Sequence, residues 1–252
     1  MGIYAGNQCR LVLNQPENKR RVPMLIKSFP AGPWQTNCYV VSPGNSQECV
    51  IVDPGFESAG MVQEIVERAN LKPIAVMLTH GHLDHMWSVF PIASGYEIPA
   101  MIHQNDRHLL TNPGAGISQE TIEMMQQSFG LDNQFIEPSE VIEIEDMQSF
   151  TLAGINFTVN HAPGHTAGSL LFGITDEQPI LFTGDVLFAG AIGRVDLPGG
   201  SAEAMNQSLR TKIMNLTDDT LVYPGHGPST TMEQERVTNP YLLRIAQGLN
   251  AV

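Results

Sequence analysis

One short segment, residues 79–85, carries four side chains that bind metal ions in proteins. Its sequence is THGHLDH, and the four side chains belong to His80, His82, Asp84 and His85. Alternate side chains of an extended segment lie on the same side, so His80 and His82 can share one ion. Asp84 and His85 then point elsewhere, which suggests a second ion rather than a fourth ligand of the first. The segment therefore predicts a metal centre.

Three further candidates lie beside glycines at the ends of predicted strands. They are His165 in HAPGHTAGS, Asp185 in LFTGDVLF and His226 in VYPGHG. Loops at strand ends are where functional sites usually lie. A lone histidine is more often structural than functional, but seven imidazole and carboxylate groups beside glycine turns indicate a site. We interpret the remaining histidines as structural, and these are His103, His108 and His161.

Short runs rich in β-branched residues, bounded by Gly, Pro and Asn, predict the strands that must position these loops. Two segments of helical period lie between them, at residues 58–70 and 201–216, and the second begins with Ser201 as a candidate N-cap. Strands that alternate with helices indicate an α/β fold. The predicted strands span residues 37–42, 49–52, 74–79, 155–161, 169–174, 180–183 and 220–223.

The domain organisation predicted from the sequence is simple. Residues 1–22 are polar and end in a basic cluster, so we expect a loose leader or an extra edge strand there. Residues 23–252 are expected to form one domain. Segment 104–138 is the best candidate for an insertion, because a helical stretch with Met124 and Met125 follows a flexible NPGAG sequence. Such a methionine pair is usually core filler, and a lid over a pocket is the alternative.

Composition limits the possible partners and compartments. The 252 residues include 13 basic and 26 acidic ones, a net charge of −13, which argues against nucleic acid and against an anionic membrane as partners. No stretch approaches 18 uncharged apolar residues. Three cysteines at wide spacing build neither a disulfide framework nor a CxxC metal site. We expect a soluble cytoplasmic protein whose oligomeric state cannot be read from the sequence.

With these residues identified, the sequence resembles the metallo-β-lactamase-fold hydrolases, whose pattern is HxHxDH followed by H, D and H. The seven candidate ligands match that pattern position by position, and the resemblance covers about residues 24 to 245. It extends to flanking segments, namely Asn37-Cys38-Tyr39, Val52-Asp53-Pro54-Gly55, Pro163-Gly164-His165-Thr166, Phe182-Thr183-Gly184-Asp185 and Pro224-Gly225-His226-Gly227. The resemblance implies a four-layer αββα sandwich with the metals at one edge of the sheets.

The resemblance also implies how the ligands divide between two divalent metal ions. One ion would be held by His80, His82 and His165, the other by Asp84, His85 and His226, with Asp185 bridging both. Two such cations lower the pKa of a water molecule and polarise a substrate carbonyl, and Asp84 would orient that water. Zinc is the first expectation, although His and carboxylate ligands suit iron and manganese equally.

Two more residues receive candidate roles. Asp53, at the end of its predicted strand, is a candidate acceptor for the far ring N–H of a metal-binding histidine. The alternative is that Asp53 caps a turn through its own backbone. The loop LFAGAIGRVDLPGG at 187–200 and the later Asn239-Pro240-Tyr241 resemble the short glyoxalase II-like hydrolases of bacteria.

In hydroxyacylglutathione hydrolase, a basic residue nine positions after the bridging Asp binds the carboxylate of the thiol carrier, and Arg194 stands at that position here. A guanidinium suits that task because it can bind a carboxylate bidentately. The alternative for Arg194 is an ion pair with Asp196 that holds the loop. The classical enzyme has aromatic residues near the carrier where this chain has Gly227-Pro228 and Val195-Asp196. The carrier therefore stays open between glutathione, another small thiol and a different acyl donor.

The function implied is metal-dependent hydrolysis of a small-molecule acyl thioester. A mononuclear iron persulfide dioxygenase is the first alternative, because its relatives keep much the same motif and use the residues matching His80, His165 and Asp185. Hydrolysis of a lactone or a β-lactam is the second. A metal-binding module without catalysis is a distant alternative, since no feature of the site is lost.

Overall fold

A computed structural model of the protein describes residues 24–129 and 135–252. The expected leader, residues 1–22, lies outside the described residues, as do residues 130–134 of the candidate insertion. Within the described part of the chain, no helix has the length and apolar character needed to cross a membrane.

The first sheet contains six strands of the described chain, and their spatial order is their chain order. Its first three strands are antiparallel neighbours, and the pairs from β3 to β6 are parallel. The strands are β1 (Leu25–Ala31), β2 (Thr36–Ser42), β3 (Glu48–Val52), β4 (Lys72–Met77), β5 (Ala100–His103) and β6 (Val141–Ile144).

The second sheet also contains six strands of the described chain, in the order β12-β11-β10-β9-β8-β7. Only the pair β10 and β11 is parallel within this sheet, among the described pairs. The strands are β7 (Ser149–Leu152), β8 (Ile155–His161), β9 (Leu170–Ile174), β10 (Ile180–Gly184), β11 (Leu221–Pro224) and β12 (Thr230–Thr231).

The helices lie on the outer faces of the two sheets. Those after the first sheet's strands are α1 (Ala59–Arg68), α2 (Leu83–Met86), α3 (Val89–Tyr96) and α4 (Gln119–Phe129), and two short 3-10 turns lie at Arg107–Leu110 and Pro113–Gly116. Those of the second half are α5 (Ala202–Ser208), which continues into a π-helical turn at Leu209–Ile213, α6 (Met232–Thr238) and α7 (Pro240–Ala246). Helix α5 begins at the predicted N-cap, because Ser201 Oγ accepts a hydrogen bond from Ala204 N at 3.2 Å.

Three apolar layers separate four layers of secondary structure. Strands buried on both faces send alternate side chains to opposite sides. In β4, Ala75 and Met77 pack between the sheets, whereas Val76 packs toward α1 and α3. The layer between the sheets includes Phe157, and a third layer covers the outer face of the second sheet. The chain therefore forms the αββα sandwich that the resemblance implies.

The candidate insertion, segment 104–138, contributes to this packing. Met125 is fully buried in the layer beneath α1 and α3, whereas Met124 is exposed. One methionine of the pair is thus core filler, as expected, and the other is not.

The two sheets meet at one edge, where the loops after several strands converge. Leu170 N donates to Thr79 O at 2.7 Å, and Asn37 N donates to Gly225 O at 2.7 Å. These bonds join the loop after β4 and the start of β2 to the second sheet. The candidate ligands lie at this edge.

Candidate metal centre

The HxHxDH segment changes from extended chain to helix in its middle. Strand β4 ends at Met77, and His82 is the last extended residue before α2 begins at Leu83. The rings of His80 and His82 have centroids 4.8 Å apart, as the alternation predicts. The helix turns His85 back toward His80, with ring centroids 4.1 Å apart, so His85 lies beside the first pair of histidines as well as near Asp84.

The structure brings all seven predicted ligands into one cluster. Three sets of three residues have ligand atoms within 4.8 Å of one another. Two of the sets share no residue and are defined as the first and second groups, and the third, His80, His85 and Asp185, links them. Each group takes members from both sheets, because the HxHxDH segment follows the first sheet's β4 and the later residues follow strands of the second sheet. The first group is His80, His82 and His165, and the second group is Asp84, His85 and His226.

Asp185 lies between the two groups. Its Oδ1 is 3.3 Å from His85 Nε2, and its Oδ2 is 3.4 Å from His165 Nε2 and 3.5 Å from His226 Nε2. A side chain on Gly225 could not be accommodated, since its Cβ would overlap Asp185 Oδ1 and lie 2.6 Å from His85 Cε1. The glycine before His226 thus lets that loop approach the carboxylate.

The cluster has the properties of a cation site. Among the described residues, His80 Nε2, His82 Nε2 and Asp185 Oδ1 are buried without a hydrogen-bond partner. The ring nitrogens His82 Nδ1 and His165 Nε2 lie only 2.8 Å apart. Buried polar atoms without a partner cost about 1–3 kcal/mol each, and a cation among converging nitrogen and carboxylate lone pairs removes that cost. These residues therefore fit divalent metal ions.

The carboxylate of Asp53 contacts the far side of His85. Asp53 Oδ2 lies 3.0 Å from His85 Nδ1 and accepts a hydrogen bond from Thr79 Oγ1 at 2.6 Å, and Oδ1 accepts one from Thr79 N at 2.8 Å. Asp53 is 1% exposed and has a left-handed backbone with φ of 49°. Its position allows it to fix the ring orientation of His85.

Backbone carbonyls perform the same task for two other histidines. His165 Nδ1 donates to the carbonyl oxygen of Arg194 at 2.8 Å, and His226 Nδ1 donates to that of Trp34 at 3.1 Å. Both bonds leave the Nε2 atom of the ring as the one that faces the cluster. The sequence analysis misses both acceptors, because a carbonyl carries no signal in a residue's type.

Strand β2 supports the second group in a way that the sequence analysis also misses. Thr36 Oγ1 donates to Asp84 Oδ2 at 2.7 Å. Asn37 Nδ2 donates to the carbonyl oxygens of Pro224 and Gly227, at 3.0 and 2.8 Å. Thr36 thus orients the Asp84 carboxylate, and Asn37 holds the loop that carries His226.

A buried aspartate, Asp106, contacts both loops of the first group. Its carboxylate accepts hydrogen bonds from Gly81 N, Thr166 Oγ1 and Gly168 N. The sequence analysis misses Asp106 because β5, which ends three residues before it, is absent from the predicted strands.

Burial and charge divide the metal-free cluster into two kinds of histidine. Burial, with a contribution from the electrostatic interaction with the nearby His165, lowers the pKa of His82 to about 3. Burial and the nearby His85 likewise hold the pKa of His80 well below its ordinary value. These imidazoles are therefore neutral at pH 7, the state that binds a metal.

The second group behaves differently because carboxylates surround it. Burial alone would lower the pKa of His85, but Asp84, Asp185 and Asp53 raise it well above its ordinary value. Burial opposes protonation of His226 too, yet hydrogen bonds to Asp185 and Asp84 raise its pKa to about 9. The pKa of Asp84 is low despite burial, chiefly because of the charge on His85. A metal ion bound there would displace protons.

A cavity of 380 Å³ opens over the cluster. Ile117 and Thr121 of segment 104–138 form part of its wall. Arg194 stands at its rim, 60% exposed, with Nε 2.7 Å from Asp196 Oδ1 and a second contact of 2.8 Å. The guanidinium is thus both beside the cavity and engaged with Asp196. Four further apolar side chains line the cavity, namely Trp34, Leu83, Phe188 and Leu197.

Comparison with known sequences gives a consistent family. A protein-family model described as the metallo-beta-lactamase superfamily matches residues 31–226. An uncharacterized protein of Mycobacterium leprae is 42% identical over 220 residues, which cover 87% of this chain and 99% of that protein. Hydroxyacylglutathione hydrolase GloC of Haemophilus influenzae is 34% identical over 228 residues, which cover 87% of this chain and 98% of GloC.

Solved structures show the same architecture. The B3 metallo-beta-lactamase BLEG-1 is 36% identical, with a TM-score of 0.76 over 86% of this chain and 99% of its own. The di-iron-bound form of TTHA1623 is 33% identical, with a TM-score of 0.70 over 86% of this chain and 100% of its own. ETHE1 from Myxococcus xanthus, at 22% identity, 86% and 84% coverage and a TM-score of 0.69, shares the fold.

Proposed function

Because the chain belongs to the metallo-beta-lactamase superfamily, we propose that it is a hydrolase that uses two divalent metal ions to cleave a small acyl thioester. The observation that carries the proposal is the completeness of both ligand groups, with Asp185 between them. Similarity to a protein named hydroxyacylglutathione hydrolase supports the thioester. Zinc is the first choice of metal, and similarity to a di-iron-bound structure supports iron as the alternative.

The chain's own residues have distinct tasks in this proposal. When bound, the two cations supply an acidified water molecule as nucleophile and polarise the thioester carbonyl. Asp84, held by Thr36, is placed to accept a hydrogen bond from a water molecule in the site and would so orient it toward the carbonyl. Asp185 sets the spacing of the two groups. The apolar wall that includes Trp34 and Phe188 excludes bulk water from the thioester.

Arg194 is proposed to bind the carboxylate of the thiol carrier. Its guanidinium stands at the rim of the cavity and already binds a carboxylate bidentately, that of Asp196. The substrate would replace Asp196 in that geometry. Because both partners are more than half exposed, the exchange costs little.

Metal analysis together with two assays tests the proposal. We expect about two metal ions per chain and turnover of a hydroxyacyl thioester, because seven ligands exceed the needs of one tetrahedral ion. Asp185→Ala should lose both ions. One iron per fully loaded chain, with consumption of a persulfide, would instead support the persulfide dioxygenase that uses His80, His165 and Asp185.

Two variants should separate kinetically. Arg194→Ala should mainly raise KM for a carboxylate-bearing thioester. It should thereby lower kcat/KM by roughly ten- to a hundred-and-fifty-fold, since a charge-assisted contact contributes on the order of 1.5–3 kcal/mol. Asp84→Ala should depress kcat. Arg68→Ala, which removes an exposed ion pair with Glu64, is the matched control. Equal losses by Arg194→Ala on charged and uncharged thioesters would reassign Arg194 to holding its loop through Asp196.

Hydrolysis of a β-lactam is the second candidate. The BLEG-1 structure is named as a B3 metallo-beta-lactamase, and this chain matches it over 99% of its length. A chromogenic cephalosporin and a lactone belong in the same assay series. We expect kcat/KM to be highest for the thioester. A higher value for the cephalosporin or the lactone would replace the thioester by that substrate and leave the metal centre unchanged.

A further inference from the structure

The geometry assigns Asp106 as a positioning residue for one half of the metal centre: its carboxylate fixes the two loops that carry the first group, and thereby sets the affinity of that group for its ion. The assignment rests on the metal centre proposed above, but not on the identity of the substrate. It concerns a residue outside the ligand motif.

The contacts of Asp106 reach both loops. Oδ2 accepts hydrogen bonds from Gly81 N at 2.9 Å and Thr166 Oγ1 at 2.7 Å, and Oδ1 accepts one from Gly168 N at 2.8 Å. Gly81 stands between His80 and His82 in sequence, and Thr166 follows His165 directly. One carboxylate therefore connects the backbone beside all three imidazoles of the first group.

The residue types at these contacts fit a carboxylate held at close range. A Cβ on Gly168 would lie 2.5 Å from Asp106 Cγ, and a Cβ on Gly81 would lie 2.9 Å from Asp106 O and 2.8 Å from Leu109 Cδ1. Both loops thus approach Asp106 more closely than any residue with a side chain allows. Gly81, expected to let the backbone bend, is required here by close approach.

The burial of Asp106 makes its hydrogen bonds consequential. The residue is 1% exposed, so its carboxylate depends on these three donors in place of water. Asparagine at this position would keep one oxygen acceptor and turn an NH₂ group toward an N–H or O–H donor. At least one of the two loops would then move away.

The effect should be confined to the first group. Among the described contacts, the carboxylate of Asp106 bonds residues next to His80, His82 and His165. Asp84 and His85 follow in helix α2 of the same segment and are held instead by Thr36 and Asp53. A residue that served the fold as a whole would not distinguish the two groups. Site-resolved metal affinity is therefore the decisive measurement.

The experiment measures zinc dissociation constants by chelator competition in two parent variants. His226→Ala leaves the first group intact, and His82→Ala leaves the second. In the His226→Ala parent, Asp106→Asn should weaken zinc binding by roughly 10- to 100-fold, the range for residues that orient metal ligands. In the His82→Ala parent the same change should stay within about twofold, because the second group is held by Thr36, Asp53 and the Trp34 carbonyl rather than by Asp106.

Glu235→Gln is the matched control. Glu235 is also 1% exposed and also accepts three hydrogen bonds, from Gly190 N, Thr230 Oγ1 and Asn239 Nδ2, each at 2.8 Å. Its replacement should lower the thermal stability in the same way as Asp106→Asn and leave both zinc dissociation constants unchanged. A loss of zinc affinity in this control equal to that of Asp106→Asn would overturn the assignment.

A milder pair of variants covers the case in which Asp106→Asn does not fold. Thr166→Val removes one of the three donors and should weaken zinc binding in the His226→Ala parent, and Thr166→Ser should restore it. Unchanged affinity in that parent, or equal losses in both parents, overturns the assignment. Parents that bind no zinc at all overturn it together with the metal centre. If Asp106→Asn weakens zinc binding only in the His226→Ala parent, but the wild-type protein does not cleave a thioester, the assignment of Asp106 is supported and only the proposed substrate is refuted.

Discussion

Asp53→Asn should weaken the second group of the metal centre more than the first. Asparagine fits the left-handed backbone at this position, where φ is 49°, so the change is confined to the carboxylate. It removes the charge that faces His85 Nδ1 and one of the acceptors for Thr79. The perturbation therefore tests the contacts that one buried carboxylate makes with His85 and Thr79.

The structure gives the size of the effect. Asp53 is 1% exposed, so a lost charge-assisted hydrogen bond is not screened and costs about 2 kcal/mol. In a protein of this size, that loss lowers Tm by roughly 4–8 °C. Zinc affinity of the second group should fall by roughly 10- to 100-fold, because His85 loses the acceptor that fixes its ring.

Two measurements check these numbers. Thermal unfolding of the metal-free protein gives the loss of stability, and zinc titration in the His82→Ala parent gives the affinity of the second group. The same change in the His226→Ala parent should alter zinc affinity less, because Asp53 reaches the first group only through Thr79, whose Oγ1 lies 3.1 Å from His80 Nδ1. Asp53→Ala should be less stable than Asp53→Asn by a further 1–2 kcal/mol or so, since alanine resists the left-handed backbone.

Zinc affinity unchanged by Asp53→Asn in the His82→Ala parent would refute this reasoning. So would an equal loss in both parents, because Asp53 would then act on the sandwich as a whole. The contrast with Asp106, which should show the opposite dependence on the parent, makes the pair of carboxylates more informative than either one.

The metal-free protein should be most stable near pH 6.5. Burial lowers the pKa of His82 to about 3, so the contribution of His82 to the free energy of unfolding is present above pH 6.5 and is lost as pH falls toward 3. Neighbouring carboxylates raise the pKa of His226 to about 9 despite burial, so its contribution is present below pH 6.5 and is lost as pH rises through 9. Urea unfolding across this range checks both, and a curve that rises steadily from pH 4 to 9 would contradict the assignment of the two groups. Gly168→Ala should cost about 1–3 kcal/mol by overpacking against Asp106, as seen in thermal unfolding. Gly95→Ala, where a Cβ meets no atom within 4 Å, is its control and should not destabilise helix α3.

Local patterns predict the parts of the fold that pack by local rules. The run 155–161 coincides with strand β8, and Ser201 caps helix α5 as predicted. Strands β1, β5, β6, β7 and β12 are missed. Strand β5 has only four residues, and β1 contains Lys27 and Pro30, which interrupt an apolar pattern. Such strands are defined by their neighbours in the sheet rather than by their own composition.

The sequence likewise predicts only part of the candidate site. Its seven metal-capable residues stand in recognisable types beside glycines, and the structure brings them together. Apart from Asp53, the groups that orient these seven residues have no such local signal in the sequence. Asp106 meets Gly81 from 25 residues away and Gly168 from 62, and Thr36 meets Asp84 from 48. Pairings over such distances depend on which loops converge at one edge of the sheets, and no window of sequence contains that information.

The division of each ligand group between the two sheets has a consequence for how the chain matures. Strand β6 ends the first sheet at Ile144 and strand β7 begins the second at Ser149, so a cut between them separates two halves of the topology. Neither half contains a complete group of ligands. A nascent chain can hold an ion firmly only after its later half has docked, and each bound ion then acts as a reversible cross-link between the halves. Metal binding would therefore stabilise the docked halves as well as supply the chemistry, because a ligand that binds only the folded state shifts the folding equilibrium by mass action.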